Sequence, residues 1–329
     1  MVFYVILSNA VDWNLTFLSS TLGIRSDRLR IMTLSESLCY YLASCFLGPL
    51  RRFGSRTRAI TRFDSNENYF EQRVAETSHY RKLFSPFVSF EGKTVLELGC
   101  NRGYLLHSFL QHENFEAIGA DVHYLEEAKR DYGDHIKFVQ STPTNIPLPS
   151  SSVDVVFTID TIEHLSKPKE ILCEVFRVLR PGGIFLVHFN PWLNPHGHHL
   201  EDIITFPWPH AVFSMNTLLN VAEKLYDSPA YPTSCYFIDA DGNKKPNPYK
   251  DRTMWNNYLN FMTIKRFNQL LGELPFGVRH QERIGFGGST FKLSRTVRGL
   301  AKAPVLTEFF TSVLLTVLVK PEIEAINPK

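Results

Sequence analysis

Through the middle of the chain, from about residue 93 to 190, apolar residues come in short blocks separated by polar turns that carry Gly or Pro. Val95, Leu96 and Leu98 read as a short buried strand. Tyr104 to Leu110 follows as a helix, with Leu105, Leu106, Phe109 and Leu110 on one face. The pattern then repeats as a strand over Ala117 to Ala120, a helix over Tyr124 to Tyr132 and a strand over Ile136 to Val139. Val153 to Ile159 is apolar along nearly its whole length, as strands covered on both faces require. A helix starts at Pro168 with Ile171, Leu172, Val175, Val178 and Leu179 inward, and Ile184 to Phe189 is the next strand. Strands alternating with helices predict a doubly wound α/β fold.

The flanks are less regular. Leu34, Leu38, Tyr41, Leu42, Cys45 and Phe46 recur at helical spacing, Pro49 stops that helix, and Arg51, Arg52, Arg56, Arg58 and Arg62 follow. This reads either as an amphipathic helix packed on the domain with a solvated basic loop, or as a peripheral contact with an anionic membrane or lipid-linked substrate. Asn66 to Leu83 reads as a helix. Ser214 is an N-cap for a helix through Tyr226. Pro229 to Lys250 reads as a long loop with a turn at Asp241-Gly242. Trp255, Tyr258, Leu259 and Phe261 either line a cleft or pack it shut, and Thr263 to Leu271 is a further helix. Gly277 to Ile284 and Val313 to Val319 read as strands, with a Gly285–Gly288 crossing and a helix over Val305 to Thr311 between them.

Composition narrows the function classes. With 329 residues, 44% of them apolar, the chain can build one large domain with appendages. A net charge of +2 argues against a dedicated nucleic-acid binder. Residues 1–63 nevertheless carry eight Lys/Arg against three Asp/Glu. Five cysteines without metal-type spacing favour reduced thiols and a cytoplasmic protein. No apolar run reaches membrane-spanning length, and the N-terminus has no basic stretch ahead of its apolar run, so no signal peptide is expected.

The candidate chemistry begins at Val95–Gly103. Gly99 and Gly103 frame a tight turn between strand and helix, where backbone can approach a ligand, and Glu97 stands ready for a cationic amine. About 20 residues on, Asp121 ends the second strand, where an acidic side chain can take both hydroxyls of a ribose. These residues resemble the first motifs of the class I S-adenosylmethionine-dependent methyltransferases, Glu/Asp-x-Gly-x-Gly-x-Gly followed by an acidic residue, with Asn101 in place of the middle glycine. The spacing does not fit the Gly-x-Gly-x-x-Gly of dinucleotide dehydrogenases. The segment around Glu163-His164-Leu165 and the Arg180-Pro181-Gly182-Gly183 turn add to the resemblance, which covers residues 93–190.

The resemblance implies a Rossmann-like, seven-stranded, mostly parallel sheet whose last strand runs antiparallel between the fifth and sixth. It implies S-adenosyl-L-methionine as cofactor, held by Glu97, Gly99, Cys100, Asn101, Gly103, Asp121, Val122, Thr142, Pro143 and Asp160. At Thr142 many relatives have an Asp that accepts from the adenine amine, so that readout is weakened here. Asp154 matches an Asp that opens the fourth strand and is structural. A helix ahead of the first strand often covers the cofactor in this family, which makes Tyr69, Arg73 and His79 lid candidates.

After the fifth strand comes an insert dense in His and Trp. Its histidines include His196, His198, His199 and His210. Because the loop leaves a strand end beside the cofactor, its side chains can reach the methyl group. His199 or His198 can serve as general base, with His164 as a further candidate, since imidazole titrates near neutral pH. A divalent-metal site using His196, His198 or His199 with Glu201, Asp202 or His210 matches no strong spacing, and no metal is assigned. A packed aromatic loop that only shapes a pocket wall is the competing reading. Trp192, Asp202, Trp208 and His210 are the acceptor-binding candidates. Gly197–His210 loosely resembles a loop of bacterial methyltransferases linked with surface polysaccharide, which points to a sugar or glycolipid hydroxyl.

The expected organisation is an N-terminal helical and basic arm over 1–62 and a methyltransferase domain over 63–329, with its substrate insert at about 190–262. The partner is a small-molecule acceptor, with no nucleic acid and with membrane contact only through the arm. A membrane quinone or lipid acceptor, and a methyltransferase-like binding protein without turnover, are the alternatives.

Overall fold

The computed structural model describes residues 32–47, 66–123, 125–228, 243–285 and 307–322, without the side chains of 47 and 66–72. The arginines at 51–62, Tyr69 as a lid residue, the Asp241-Gly242 turn and the crossing after Gly285 lie outside what is described.

Seven strands form one sheet in the order β3-β2-β1-β4-β5-β7-β6. They are β1 (Thr94–Leu98), β2 (Glu116–Asp121), β3 (Ile136–Gln140), β4 (Val153–Ile159), β5 (Leu179–Phe189), β6 (Gly277–Gly285) and β7 (Thr311–Val319). The first five pair in parallel, and β7 lies antiparallel between β5 and β6, as the resemblance implied. This is the Rossmann-like doubly wound α/β architecture. The sheet order reverses direction at β1/β4, the place where ligands enter such sheets.

Strand alternation sorts the core into two layers. From β1, Leu96 and Leu98 join the layer under α5 (Pro168–Val178) and α9 (Ile264–Gly272), with Val175, Phe267 and Leu271. Val95 faces the opposite layer, under α2 (Asn66–Phe84), α3 (Tyr104–Leu110) and α4 (Leu125–Tyr132). Glu97 shares Val95's face by the two-residue period, so a carboxyl is carried into an otherwise aromatic and aliphatic layer. A buried hydrogen bond from Thr77 Oγ1 to Ser108 Oγ (2.8 Å) ties α2 to α3. Asp154 accepts from the Thr94 amide and pairs with Arg180, pinning the starts of β1, β4 and β5 together in a structural role.

A third core belongs to the insert. α1 (Leu34–Leu47) packs Cys39 and Ala43 against α7 (Met215–Asp227), joined by Leu200, Ile203 and Ile204 of the insert loop. Asn220 of α7 donates to the buried Glu36 of α1. The outer side of α1 is also apolar, and Leu34, Leu38 and Tyr41 are exposed. The helix docks by Cys39 and Ala43, with Leu42 and Phe46 partly buried against the same core, and three of the large apolar positions at helical spacing point to solvent. Between them, α6 (Pro209–Val212) is a single turn, and α8 (Arg252–Tyr258) is capped by Asp251, which accepts from the Met254 amide.

Two local expectations change, and the Ser214 cap stands as expected. β5 starts at Leu179, because Leu179 pairs with Val153 before the register shift, so the Arg-Pro-Gly-Gly turn lies inside the strand span. Residues 307–310 form a turn and Thr311 already belongs to β7, so the expected helix over 305–311 does not extend through them. Ser214 and Thr263 cap their helices by accepting from the amides of Thr217 and Arg266.

Candidate functional site

The C-terminal ends of β1, β2 and β4 open into one cleft of about 720 Å³. At its floor is the Gly99–Gly103 turn. Gly99 has φ +79°, and a Cβ there would lie 2.3 Å from Thr161 Oγ1. The left-handed φ and the Thr161 side chain leaving β4 both require glycine here, a demand that local spacing does not reveal. At Gly103 (φ +77°) a Cβ would meet Phe138 Cζ at 2.6 Å. Asn101 takes φ 49°, a conformation that Asn tolerates better than most residues.

Asn101's amide donates to Asp121 Oδ2 at 2.8 Å, and His123's amide donates to Oδ1 at 2.9 Å. Two backbone donors therefore fix the carboxylate at the wall of the cleft. Each oxygen keeps acceptor capacity for a hydroxyl. The turn and the second-strand carboxylate, joined in sequence only by spacing, are in direct contact.

Glu97 and Cys100 line a smaller hollow behind the turn, shared with Arg73, Gly99 and Asn101. Burial pushes the Glu97 carboxyl up to about 8, with Arg73 opposing and Asp121 adding to the shift. Its Oε2 has no hydrogen-bond partner among the described residues. Arg73 reaches the site from α2, while its Nη1 bonds Glu76 at 2.9 Å. The Cys100 thiol is also raised by burial and is a packing group.

The loop after β3 forms one wall. Ser141's amide donates to the Asp121 carbonyl, and Thr142 pairs with Asn145 across a tight turn. Thr142 and Pro143 are exposed and face the cleft, as does Val122. The opposite wall comes from α8, with Thr253, Met254, Asn257 and Tyr258. Of the four aromatic and aliphatic residues expected near a cleft, only Tyr258 lines it. Trp255 stacks on Tyr249, Leu259 is buried, and Phe261 packs on Trp192. Thr253, Met254 and Asn257 carried no motif and were not legible as cleft residues.

A polar corner closes the far end. Asp160, with φ 50°, follows β4; its Oδ1 accepts from Asn190 Nδ2 at 3.2 Å and lies 3.3 Å from His188 Nδ1. Glu163 is 3% exposed, and its Oε2 also has no hydrogen-bond partner among the described residues. Burial, with Asp160 nearby, holds its carboxyl well above the usual range. His164 lines the cleft, and its Nδ1 is 2.8 Å from the Tyr258 carbonyl. A carbonyl only accepts, so Nδ1 carries the proton and Nε2 bears the lone pair. Burial lowers the His164 pKa, so the ring is neutral at pH 7. His199, with φ 54°, brings its ring within 5.0 Å of His164 and 5.9 Å of Tyr258.

The structure does not bring the rest of the insert to this cleft. His198 is fully buried, with Nδ1 accepting from the Leu200 amide at 3.0 Å, and burial takes its pKa well below 6.5. The His210 ring packs at a tilt 4.6 Å from Trp192 and 5.4 Å from His198, and burial pushes both it and His196 down to about 4. Trp208 donates from Nε1 to the Phe309 carbonyl. Asp202 is half-buried in the same loop and does not line the cleft. Trp192 and His210 thus pack with His198 and Trp208 packs on Phe310, none of the four candidates lines the cleft, and α8 supplies that wall.

Comparison with known proteins agrees with the region that carries the motifs. A family model described as a methyltransferase domain matches residues 96–187. An uncharacterized methyltransferase of Mycolicibacterium gilvum is 31% identical over 110 residues, which is 32% of this chain and 42% of that protein. A sterol 24-C-methyltransferase of Pneumocystis carinii is 28% identical over 131 residues, covering 38% of this chain and 34% of the relative. The chain thus spans under half the length of these curated relatives. Among solved structures, an S-adenosylmethionine-dependent methyltransferase from Mesorhizobium loti aligns with 75% of this chain and 99% of its own, at 16% identity and a TM-score of 0.44.

Proposed function

We propose that this chain, a class I S-adenosylmethionine-dependent methyltransferase by its domain at residues 96–187, transfers a methyl group to a hydroxyl of a small acceptor, a sugar or glycolipid. The observation that carries the reading is the Asn101–Asp121 hydrogen bond, which joins the glycine turn to the second-strand carboxylate in a cleft that continues to His164 and Tyr258.

The residues fit the cofactor. Asp121 keeps acceptor sites for two ribose hydroxyls, and the orphaned Glu97 Oε2 beside Arg73 suits an amino-acid zwitterion. Thr142 and Pro143 would cover the base, with the Thr142 hydroxyl or a loop carbonyl standing in for the usual carboxylate. When bound, the cofactor supplies an electrophilic methyl group on a sulfonium. The chain's own work is alignment, because orientation of reacting groups is worth several kcal/mol. His164, neutral and with Nε2 bare, or His199 beside it, accepts the acceptor's hydroxyl proton. α8 closes the acceptor end, and Met254 and Tyr258 provide apolar faces there for a sugar ring. His198 has no direct part in this reading, since it is sealed in the loop.

A lipid-linked acceptor at a membrane is a second reading, favoured by the exposed Leu34, Leu38 and Tyr41 and by the arginine-rich sequence that follows their helix in the chain. No helix among the described residues is long and apolar enough to cross a membrane.

Calorimetry with S-adenosylmethionine and S-adenosylhomocysteine tests the cofactor half. Mass spectrometry of methylated products, after incubation with sugar-nucleotide and lipid extracts, tests the acceptor half. Failure to bind either form of the cofactor rejects the enzyme, and methylation confined to proteins or nucleic acids rejects the acceptor class.

A further inference from the structure

We infer that the corner formed by Glu163, His164 and His199 is a binding site for one divalent transition-metal cation, open to the acceptor end of the cleft. The inference rests on the proposed function for the identity of that end, but its own observations are separate. One ligand atom from each residue lies within 4.8 Å of the others. Glu163 is 3% exposed, and its Oε2 has no hydrogen-bond partner among the described residues. A buried carboxyl oxygen left without a donor is costly, and a cation would satisfy it.

The supporting hydrogen bonds are already built. The Tyr258 carbonyl fixes His164 Nδ1 as the proton-bearing nitrogen at 2.8 Å, leaving Nε2 for a metal. Ligating histidines characteristically hold their other nitrogen this way. The Asn190 amide approaches Glu163 Oε1 at 3.4 Å, so the other carboxylate oxygen remains for coordination. Two imidazoles and one carboxylate suit Mn, Fe, Co, Ni or Zn better than Mg or Ca, which prefer all-oxygen ligands. Three protein ligands leave open positions, and His164 lies on the cleft wall. An acceptor with two adjacent oxygens, such as a vicinal diol, would fill them. With the cation in place the imidazoles serve as ligands, not as proton acceptors. The set differs from those the sequence brought forward: His199 is kept, while Glu163 and His164 replace the buried His198 and the loop carboxylates.

The test is Co2+ titration of the full-length chain after chelator treatment, read by visible absorption and by metal content per chain, with S-adenosylhomocysteine affinity measured in parallel. One Co2+ per chain is expected, and Glu163→Gln and His199→Ala should each weaken it at least tenfold without changing S-adenosylhomocysteine affinity. Should Glu163→Gln fail to fold, His199→Ala on its half-exposed loop decides the matter. Absence of saturable Co2+ binding, or binding equally tight in the folded variants, overturns the metal site. If Co2+ fails while S-adenosylhomocysteine still binds, the metal inference falls and the transferase reading stands. Failure of S-adenosylhomocysteine alone removes the transferase reading.

Discussion

Gly99→Ala is the sharpest test of how the floor of the cleft is built. The new Cβ would sit at φ +79°, a left-handed conformation that costs a non-glycine residue about 1–2 kcal/mol. It would also stand 2.3 Å from Thr161 Oγ1 and 2.5 Å from Cγ2, closer than packed atoms allow. Relief requires Thr161 to move, and overpacking of this kind costs about 1–3 kcal/mol. The combined loss, about 2–5 kcal/mol, is a large share of the roughly 5–15 kcal/mol that keeps a domain folded. Thr161→Ala alone gives up the hydrogen bond from Oγ1 to the Ile159 carbonyl (3.0 Å), a loss of about 1 kcal/mol. In the double variant the contacts with Oγ1 and Cγ2 are gone, and the backbone cost remains with a tight 3.0 Å approach to the Thr161 Cβ, so the two changes should couple favourably by about 1–3 kcal/mol. Urea denaturation of the four proteins measures this, with S-adenosylhomocysteine calorimetry alongside. A Gly99→Ala loss below about 1 kcal/mol, or strict additivity with Thr161→Ala, refutes the claim that Thr161 dictates the glycine.

Other consequences are testable with the same assays. Glu97 is raised to about 8 by burial, so in the cofactor-free protein its contribution to stability is full below its unfolded pKa near 4.5 and is lost as pH rises toward 8. Denaturation midpoints should fall across that window, and Glu97→Gln should flatten the slope. A cationic amine at Glu97 favours the carboxylate, so S-adenosylhomocysteine should bind more tightly from pH 6 to 8 with proton release, seen by calorimetry in buffers of different ionisation enthalpy. Asp121→Ala removes a carboxylate held by two amides and should weaken S-adenosylhomocysteine about 10–100-fold, as loss of charged hydrogen bonds predicts. His198→Ala should destabilise the fold by about 1–3 kcal/mol, since a buried side chain and its bond to Leu200 are lost, yet leave kcat of the folded enzyme near its parent value. His199→Ala should do the reverse, and kcat loss in His198→Ala would place that residue in the chemistry.

The fold was legible wherever one residue's identity carries a backbone or burial demand. The Val95–Leu98 block, Gly103 with its left-handed φ, and the apolar run of Val153–Ile159 announce strand, turn and buried strand by local physics. The pairing of Asp121 with the turn was legible through spacing alone, because β1 and β2 are joined by one helix of fixed geometry. The α8 wall of the cleft was not. Thr253, Met254 and Asn257 reach the cleft through long-range packing of α8, and nothing in their local sequence marks them. The histidines of the insert misdirect for a related reason. An imidazole can be a base, a ligand or a neutral packing ring, and tertiary placement separates them: His164 lines the cleft with His199 beside it, while His198 and His210 pack on each other away from it. Leu34, Leu38 and Tyr41 carry the same ambiguity, since helical spacing defines a stripe without saying which side meets the protein.

The shared core of α1 and α7 bears on how the N-terminal arm can be studied. Deleting residues 1–62 would strip Cys39 and Ala43 from Leu218, Leu219 and Ala222, and would leave Asn220 without Glu36. Loss of vesicle binding or of turnover in such a deletion would then report a damaged insert as readily as a missing anchor. Charge introduced on the outward ridge alone, as in Leu34→Glu with Tyr41→Glu, leaves that inner seam whole, and is the perturbation that tests whether the ridge contacts a lipid surface.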